Sequence, residues 1–215
     1  MPPISKMLRT VLLLVAFAFM AEATARADIM IAVGNNPQDD ENVLLNTGMT
    51  GNPIFGTTNQ TGFSVRFSSN EDLTAPAMGQ ARIEAVDGAL TQLTVDIPGA
   101  TFTSLILNID AAEDGMVFFT VVEDNGDITT GQFALSGSGE NFFTITAVAG
   151  QRISSVTFTT DVDMTITDVD DTSQIRIGGA EQAEQPIPEP MTMILFGTGL
   201  AGVAASVRRR RAGKP

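Results

Sequence analysis

The chain has 215 residues, with 25 acidic against 12 basic side chains for a net charge of −13, and it contains no Cys, His, Tyr or Trp. Without Cys or His there is no Ser-His-Asp triad, no Cys-His dyad, no zinc finger and no His-ligated catalytic metal, and disulfide staples are excluded. The missing Trp and Tyr leave Phe as the sole aromatic platform for stacking against a sugar.

At the N-terminus, Lys6 and Arg9 form a positive region, Thr10 to Ala21 an apolar one, and Ala25-Arg26-Ala27 a small-x-small cleavage site. Together they read as a signal peptide over 1–27, cut before Asp28 by signal peptidase after Sec-type export. Glu22 and Arg26 close the apolar run after about a dozen residues, too short to stay as an anchor.

From Asp28 to about Gln185 the chain holds four basic residues, Arg66, Arg82, Arg152 and Arg176, against 23 acidic ones, a net of −19. That length is one domain by the usual size range and can bury a real core; it is placed at 28–180. This charge disfavours nucleic acid and anionic membrane as partners of the domain, because a phosphate footprint needs clustered Lys and Arg.

The run Asn35-Asn36-Pro37-Gln38-Asp39-Asp40-Glu41-Asn42 lies in a segment, Gly34 to Gly62, whose Asn, Gly and Thr content reads as long surface loops around short strands. Beyond it the apolar residues alternate. Leu93, Val95 and Ile97 share one face, as do Leu105, Leu107 and Ile109, and then Val117, Phe119 and Val121. Glu123-Asp124-Asn125-Gly126-Asp127 supplies a hairpin turn before Ile128 to Leu135. Phe143, Ile145 and Ala147 form another strand, closed by Gly150, and Ile153 to Thr159 the next. Val162, Met164 and Ile166 alternate with acidic and threonine residues, and Ile175 and Ile177 mark a final strand. Some ten short strands without a helical period predict an all-β antiparallel β-sandwich of jelly-roll or immunoglobulin-like character.

The densest carboxylate cluster is Asp161, Asp163, Asp168, Asp170 and Asp171. Five carboxylates within eleven residues could surround one calcium ion. No calcium-loop signature supports that: an EF-hand starting at Asp161 would need Gly at 166 and Glu at 172, where this chain has Ile166 and Thr172. A solvated acidic strand face that resists edge-to-edge pairing is the plainer reading. A pair of carboxylates acting as acid and base on a glycan is a further alternative, with no pair singled out by the sequence.

The tail is the most informative segment. Pro186-Ile187-Pro188-Glu189-Pro190 closes a linker over 181–190, and an apolar run follows from Met191 to Val207. Seventeen helical residues span about 25 Å, just enough to cross a bilayer core. Arg208, Arg209, Arg210 and Arg211 then hold the 208–215 tail on the cytoplasmic side. The prolines favour an extended spacer that the helix cannot invade.

Pro188-Glu189-Pro190, a glycine-bearing apolar helix and a terminal arginine cluster, in that order, resemble the PEP-CTERM sorting signal, the substrate signal of exosortases in Gram-negative bacteria that make exopolysaccharide. The resemblance covers about 30 residues of the tail. It implies that Pro188, Glu189 and Pro190 mark the processing region, and that the helix and Arg208 to Arg211 are removed afterwards. The expected protein is therefore exported, held in the inner membrane with its domain outside until an exosortase acts, then delivered to the cell surface or matrix. No enzymatic activity or resident cofactor is expected. The expected role is structural or adhesive, linked to exopolysaccharide or biofilm; the alternative is a calcium-dependent or carbohydrate-binding module.

Overall fold

The computed structural model describes residues 28–45, 48–76, 78–160 and 169–183. The expected signal peptide, the strand expected over 162–166 and the chain from 184 onward lie outside them. The chain divides into two units, Met1–Ala180 and Glu181–Pro215.

Strands account for the first unit: β1 (Asp28–Val33), β2 (Asp40–Leu45), β3 (Met49–Gly51), β4 (Ile54–Thr58), β5 (Ser64–Ser68), β6 (Leu73–Ala75), β7 (Gly79–Gln80), β8 (Arg82–Ala85), β9 (Gln92–Asp96), β10 (Ala100–Thr101), β11 (Ser104–Ala111), β12 (Gly115–Glu123), β13 (Ile128–Leu135), β14 (Asn141–Val148), β15 (Ile153–Thr159) and β16 (Val169–Gly178). A short β17 (Glu181–Gln182) belongs to the second unit. No helix among the described residues is long and apolar enough to cross a membrane.

The pairing runs β1-β14-β11-β16-β2-β4-β5-β9-β15-β12-β13, and the pairs along it are antiparallel. The path makes two layers because β2 changes partner midway. Its Asp40, Glu41 and Asn42 pair with β16, while Val43 and Leu44 pair with β4. At the other side β13 comes against β1: a Cβ placed on Gly131 would lie 3.1 Å from Ile31 Cδ1. The fold is thus all-β and antiparallel, sandwich-like in its two layers and barrel-like in its continuity.

The core lies between the layers. Leu93 and Val95 of β9, Val117, Phe119 and Val121 of β12, and Val156 and Phe158 of β15 come from one side. Leu105, Leu107 and Ile109 of β11, Phe143 and Ile145 of β14, and Ile175 and Ile177 of β16 come from the other. The period of two places alternate apolar side chains of these strands inward. Phe119 of β12 crosses the gap to Phe143 of β14 at 4.9 Å between centroids, and also touches Phe133 at 6.1 Å and Phe158 at 6.3 Å. Gly56 is needed where it stands, because a Cβ there would meet Val43 Cγ1 at 2.7 Å and the Leu44 carbonyl at 3.0 Å.

The segment 34–62 is more strand than the expected loops, since β2, β3 and β4 all lie within it. Its polarity misleads because Glu41 points inward. That carboxylate is 8% exposed and accepts hydrogen bonds from the Gln60 amide at 2.7 Å, the Thr61 amide at 2.9 Å and the Thr61 hydroxyl. It therefore caps the turn between β4 and β5. The Asn125-Gly126 hairpin forms where the sequence places it, as a three-residue loop: Gly126 N–H donates to Glu123 C=O at 3.1 Å, and Gly126 takes the left-handed φ of 89°.

Two outcomes follow in denaturation experiments. Phe119→Ala removes the ring that joins both layers and should lower unfolding free energy by about 3–5 kcal/mol, read from a urea melt. Burial by itself would raise the Glu41 pKa, but the Thr61 and Gln60 hydrogen bonds outweigh it and hold the pKa below its ordinary 4.5. A lowered carboxylate pKa stabilises the fold above the unfolded value and loses that contribution as pH falls through the folded one. Glu41→Gln should then cost about 1–3 kcal/mol at pH 7 and progressively less below pH 4.5.

Candidate functional site

The two layers present outward faces of different chemistry. On the β16-β11-β14 layer the outward positions run in cross-strand rows, Arg82-Ser173-Asn108-Phe142 in one and Asp171-Asp110 in the next. Asp171 is 5% exposed and pairs through Oδ2 with Arg82 Nε at 3.0 Å, while Arg82 Nη2 reaches Glu84 at 3.0 Å. Burial pushes the Asp171 pKa up, Arg82 opposes that, and the Asp110 carboxylate adds to it. Three polar atoms on this face, Asp171 Oδ1, Asn108 Oδ1 and Arg176 Nε, are buried without a hydrogen-bond partner.

Residues 34–39 strap part of the same face. The Thr144 hydroxyl donates to Gly34 C=O at 2.7 Å and accepts from the Asn36 amide at 3.0 Å; Arg176 Nη2 reaches Asn35 Oδ1 at 3.1 Å. This explains why Ile106, on the outward side of β11, is 0% exposed yet stands apart from the core cluster. The polar run that reads as a surface loop is a tether.

Of the five carboxylates considered for calcium, Asp161, Asp163 and Asp168 lie outside the described residues. Asp170 is the extra residue of a bulge in β16, between Val169 opposite Ala111 and Asp171 opposite Asp110, and it is exposed while Asp171 is buried against Arg82. Among the described residues no three metal-ligating side chains converge. A depression of about 550 Å³ lies where β12, β13 and β14 meet, lined by Asp114, Met116, Leu135, Ser136 and Asn141. Its polar groups are already engaged: Asp114 accepts from the Gly137 amide, and Asn141 donates to the Ile109 and Ser136 carbonyls.

The other layer, β4-β5-β9-β15-β12-β13, is different. Its registers align Ser68, Thr94, Thr157, Thr120 and Thr130 in one row across five strands. The Thr94 and Thr157 hydroxyls are 2.8 Å apart. A second row runs Phe55-Arg66-Asp96-Ser155-Val122-Ile128, and a third Gln92-Thr159-Phe118-Gln132. The single acid and single base in these rows neutralise each other, with Arg66 Nε and Nη2 on the two Asp96 oxygens at 2.9 and 2.8 Å. Phe55 and Ile128 remain 42% and 63% exposed. The frequency of threonine is visible in the sequence, but its alignment is not, because register depends on pairings between distant segments.

The residues expected to direct sorting, Pro188, Glu189, Pro190 and Arg208 to Arg211, lie outside the described residues, but the tail is matched in its own right. The chain carries a PEP-CTERM protein-sorting motif at residues 186–211. No curated protein matches the chain. Among solved structures, the chain is similar to the carbohydrate-binding module BiXyn10A CBM1 in its apo form, at 14% identity over 68% of this chain and 94% of that one, with a TM-score of 0.27. It is also similar to two variants of CBM29-2, a family 29 carbohydrate-binding module, at 15% identity over 72% of this chain and 89% and 91% of those, with TM-scores of 0.25. Similarities this faint carry no weight for the fold or for a ligand.

The Arg82–Asp171 pair yields a signed pH dependence. A raised carboxylate pKa means that stability falls as pH rises through it, and Arg82 limits that fall. Arg82→Leu should therefore cost about 1–3 kcal/mol at pH 7 and little below pH 3.8, where Asp171 is protonated in both folded and unfolded chains, read from urea melts at the two pH values.

Proposed function

We propose that this chain is an exported surface or matrix protein with a structural or adhesive, non-enzymatic role in an exopolysaccharide-containing layer. The observation that carries it is the sorting motif at 186–211, which implies export, membrane-held sorting and processing by an exosortase. In this reading 191–207 is the transient membrane helix, 208–215 its cytoplasmic end and 1–27 the removed signal peptide. The β-unit is the part that stays.

The chemistry of the β-unit supports a non-catalytic role. Its most buried carboxylates are each committed to holding the fold: Glu41 on Thr61, Glu123 on Thr129, Asp96 on Arg66 and Asp171 on Arg82. A glycan-cleaving pair needs two carboxyl groups facing one another across a substrate cleft. A net charge of −19 between 28 and 185 keeps copies soluble and apart outside the cell.

Intact mass of the protein isolated from its native host tests the reading. The expected polypeptide starts at Asp28 and ends near Pro188 to Pro190. Replacing Pro188, Glu189 and Pro190 together with Ala should leave the tail attached and the protein in the membrane fraction. A wild-type mass that retains Met191 to Pro215 would overturn it.

A further inference from the structure

We infer that the outer face of the β4-β5-β9-β15-β12-β13 layer is a binding surface for an uncharged, extended polysaccharide chain, with the hydroxyl row Ser68-Thr94-Thr157-Thr120-Thr130 at its centre. This deepens the surface-matrix reading and rests on it.

Three observations converge. The first is spacing. Five strands repeat the hydroxyl at the inter-strand distance of about 4.8 Å, so the row extends roughly 19 Å and presents donors and acceptors at a regular interval. An extended glycan also offers hydroxyls at a repeat of about one pyranose ring, comparable to one strand spacing.

The second is charge. Between 28 and 185 the chain carries 23 acidic residues against four basic ones, yet the three rows of this face contain one acid and one base, locked to each other. The face is neutral on an otherwise acidic protein. An anionic polymer would be repelled by the surroundings, and a cationic one would be drawn to the acidic edges instead. A second copy brings another −19, so self-stacking on this face is opposed. An uncharged polymer meets none of these costs.

The third is apolar surface. Phe55 and Ile128 stand exposed at opposite ends of the second row, and Phe118 is partly exposed in the third. Flat or branched apolar groups beside hydroxyls suit a sugar ring, whose C–H face packs on carbon while its edge forms hydrogen bonds. Phe118 sits two residues from Thr120 on β12, about 7 Å along the strand, so one ring could contact both rows.

The test is affinity electrophoresis of the full chain in gels containing hydroxyethyl cellulose, galactomannan or, as the charged comparison, alginate. The expected result is retardation by at least one neutral polymer and none by alginate. Replacing Thr94, Thr120 and Thr157 together with Ala should weaken that binding about tenfold or more, as should Thr120→Lys, which places one long charged side chain in the row without opening a cavity. Thr146→Ala, on the outward side of the other layer, should leave it within about twofold. Circular-dichroism melts identify any variant that loses binding through unfolding, and Thr120→Lys then decides the case. No retardation by either neutral polymer, equal binding by wild type and Thr120→Lys, or dimerisation abolished by Thr120→Lys in the absence of glycan retention would each overturn the inference. Correct maturation to 28–190 without glycan binding removes this surface assignment and leaves the sorted-protein reading standing; glycan binding, with Met191 to Pro215 retained in the protein isolated from its native host, does the reverse.

Discussion

The structure depends on the ring of Phe119. It stands at an inward position of β12, and its contacts with Phe143, Phe133 and Phe158 join strands at both ends of the pairing path. Phe133 also meets Phe143 at 5.5 Å, so the cluster is closed rather than a chain of pairs. In a protein without disulfides this packing substitutes for covalent staples, because each tilted or edge-on ring contact adds to the large area the rings already bury. Among the described residues β1 and β13 end the pairing path, and the cluster draws these two ends together beside Gly131.

The scarcity of cations shapes the rest. Each of the four arginines fastens a different junction. Arg66 ties β5 to β9 through Asp96, and Arg82 ties β8 to β16 through Asp171. Arg176 reaches Asn35 in the strap, and Arg152 donates to the Thr101 and Gly179 carbonyls. There is no lysine between 28 and 185, and at Arg66, Arg82 and Arg152 one planar, multi-donor guanidinium satisfies two acceptors. Among the described residues most of the other acids sit where water reaches.

Strands whose inward and outward residues differ in kind are plain in the sequence: β9, β12 and β15 alternate as written, and their inward residues are the core. Two elements escape for opposite reasons. β2 begins with Asp40 and Glu41, and the burial of Glu41 is invisible without the Gln60 and Thr61 amides that come from 19 and 20 residues away. β11 is apolar on both faces, Ile106 included, because the 34–39 strap covers its outward side. The bulge between Ile106 and Asn108, with Gln174 opposite at φ 52°, likewise has no local mark in the sequence. The threonine row belongs to the same class. Its members lie in five segments between 68 and 157, and only the completed ladder puts them side by side.

Address and surface are therefore written in different ways. The sorting motif is a linear signal, readable because a membrane enzyme must recognise it in an extended peptide before or apart from any fold. The neutral hydroxyl face exists only after folding, since it is assembled by register. A protein sent outside the cell with a strongly acidic body keeps its copies apart by charge, and an uncharged partner gains most where that charge is absent. On the β4-β5-β9-β15-β12-β13 layer the Arg66–Asp96 pair cancels the one charge of each sign in the aligned rows, leaving hydroxyls and Phe rings to set what can approach. The acidity of the whole and the neutrality of one face thus act together: the first excludes, and the second admits.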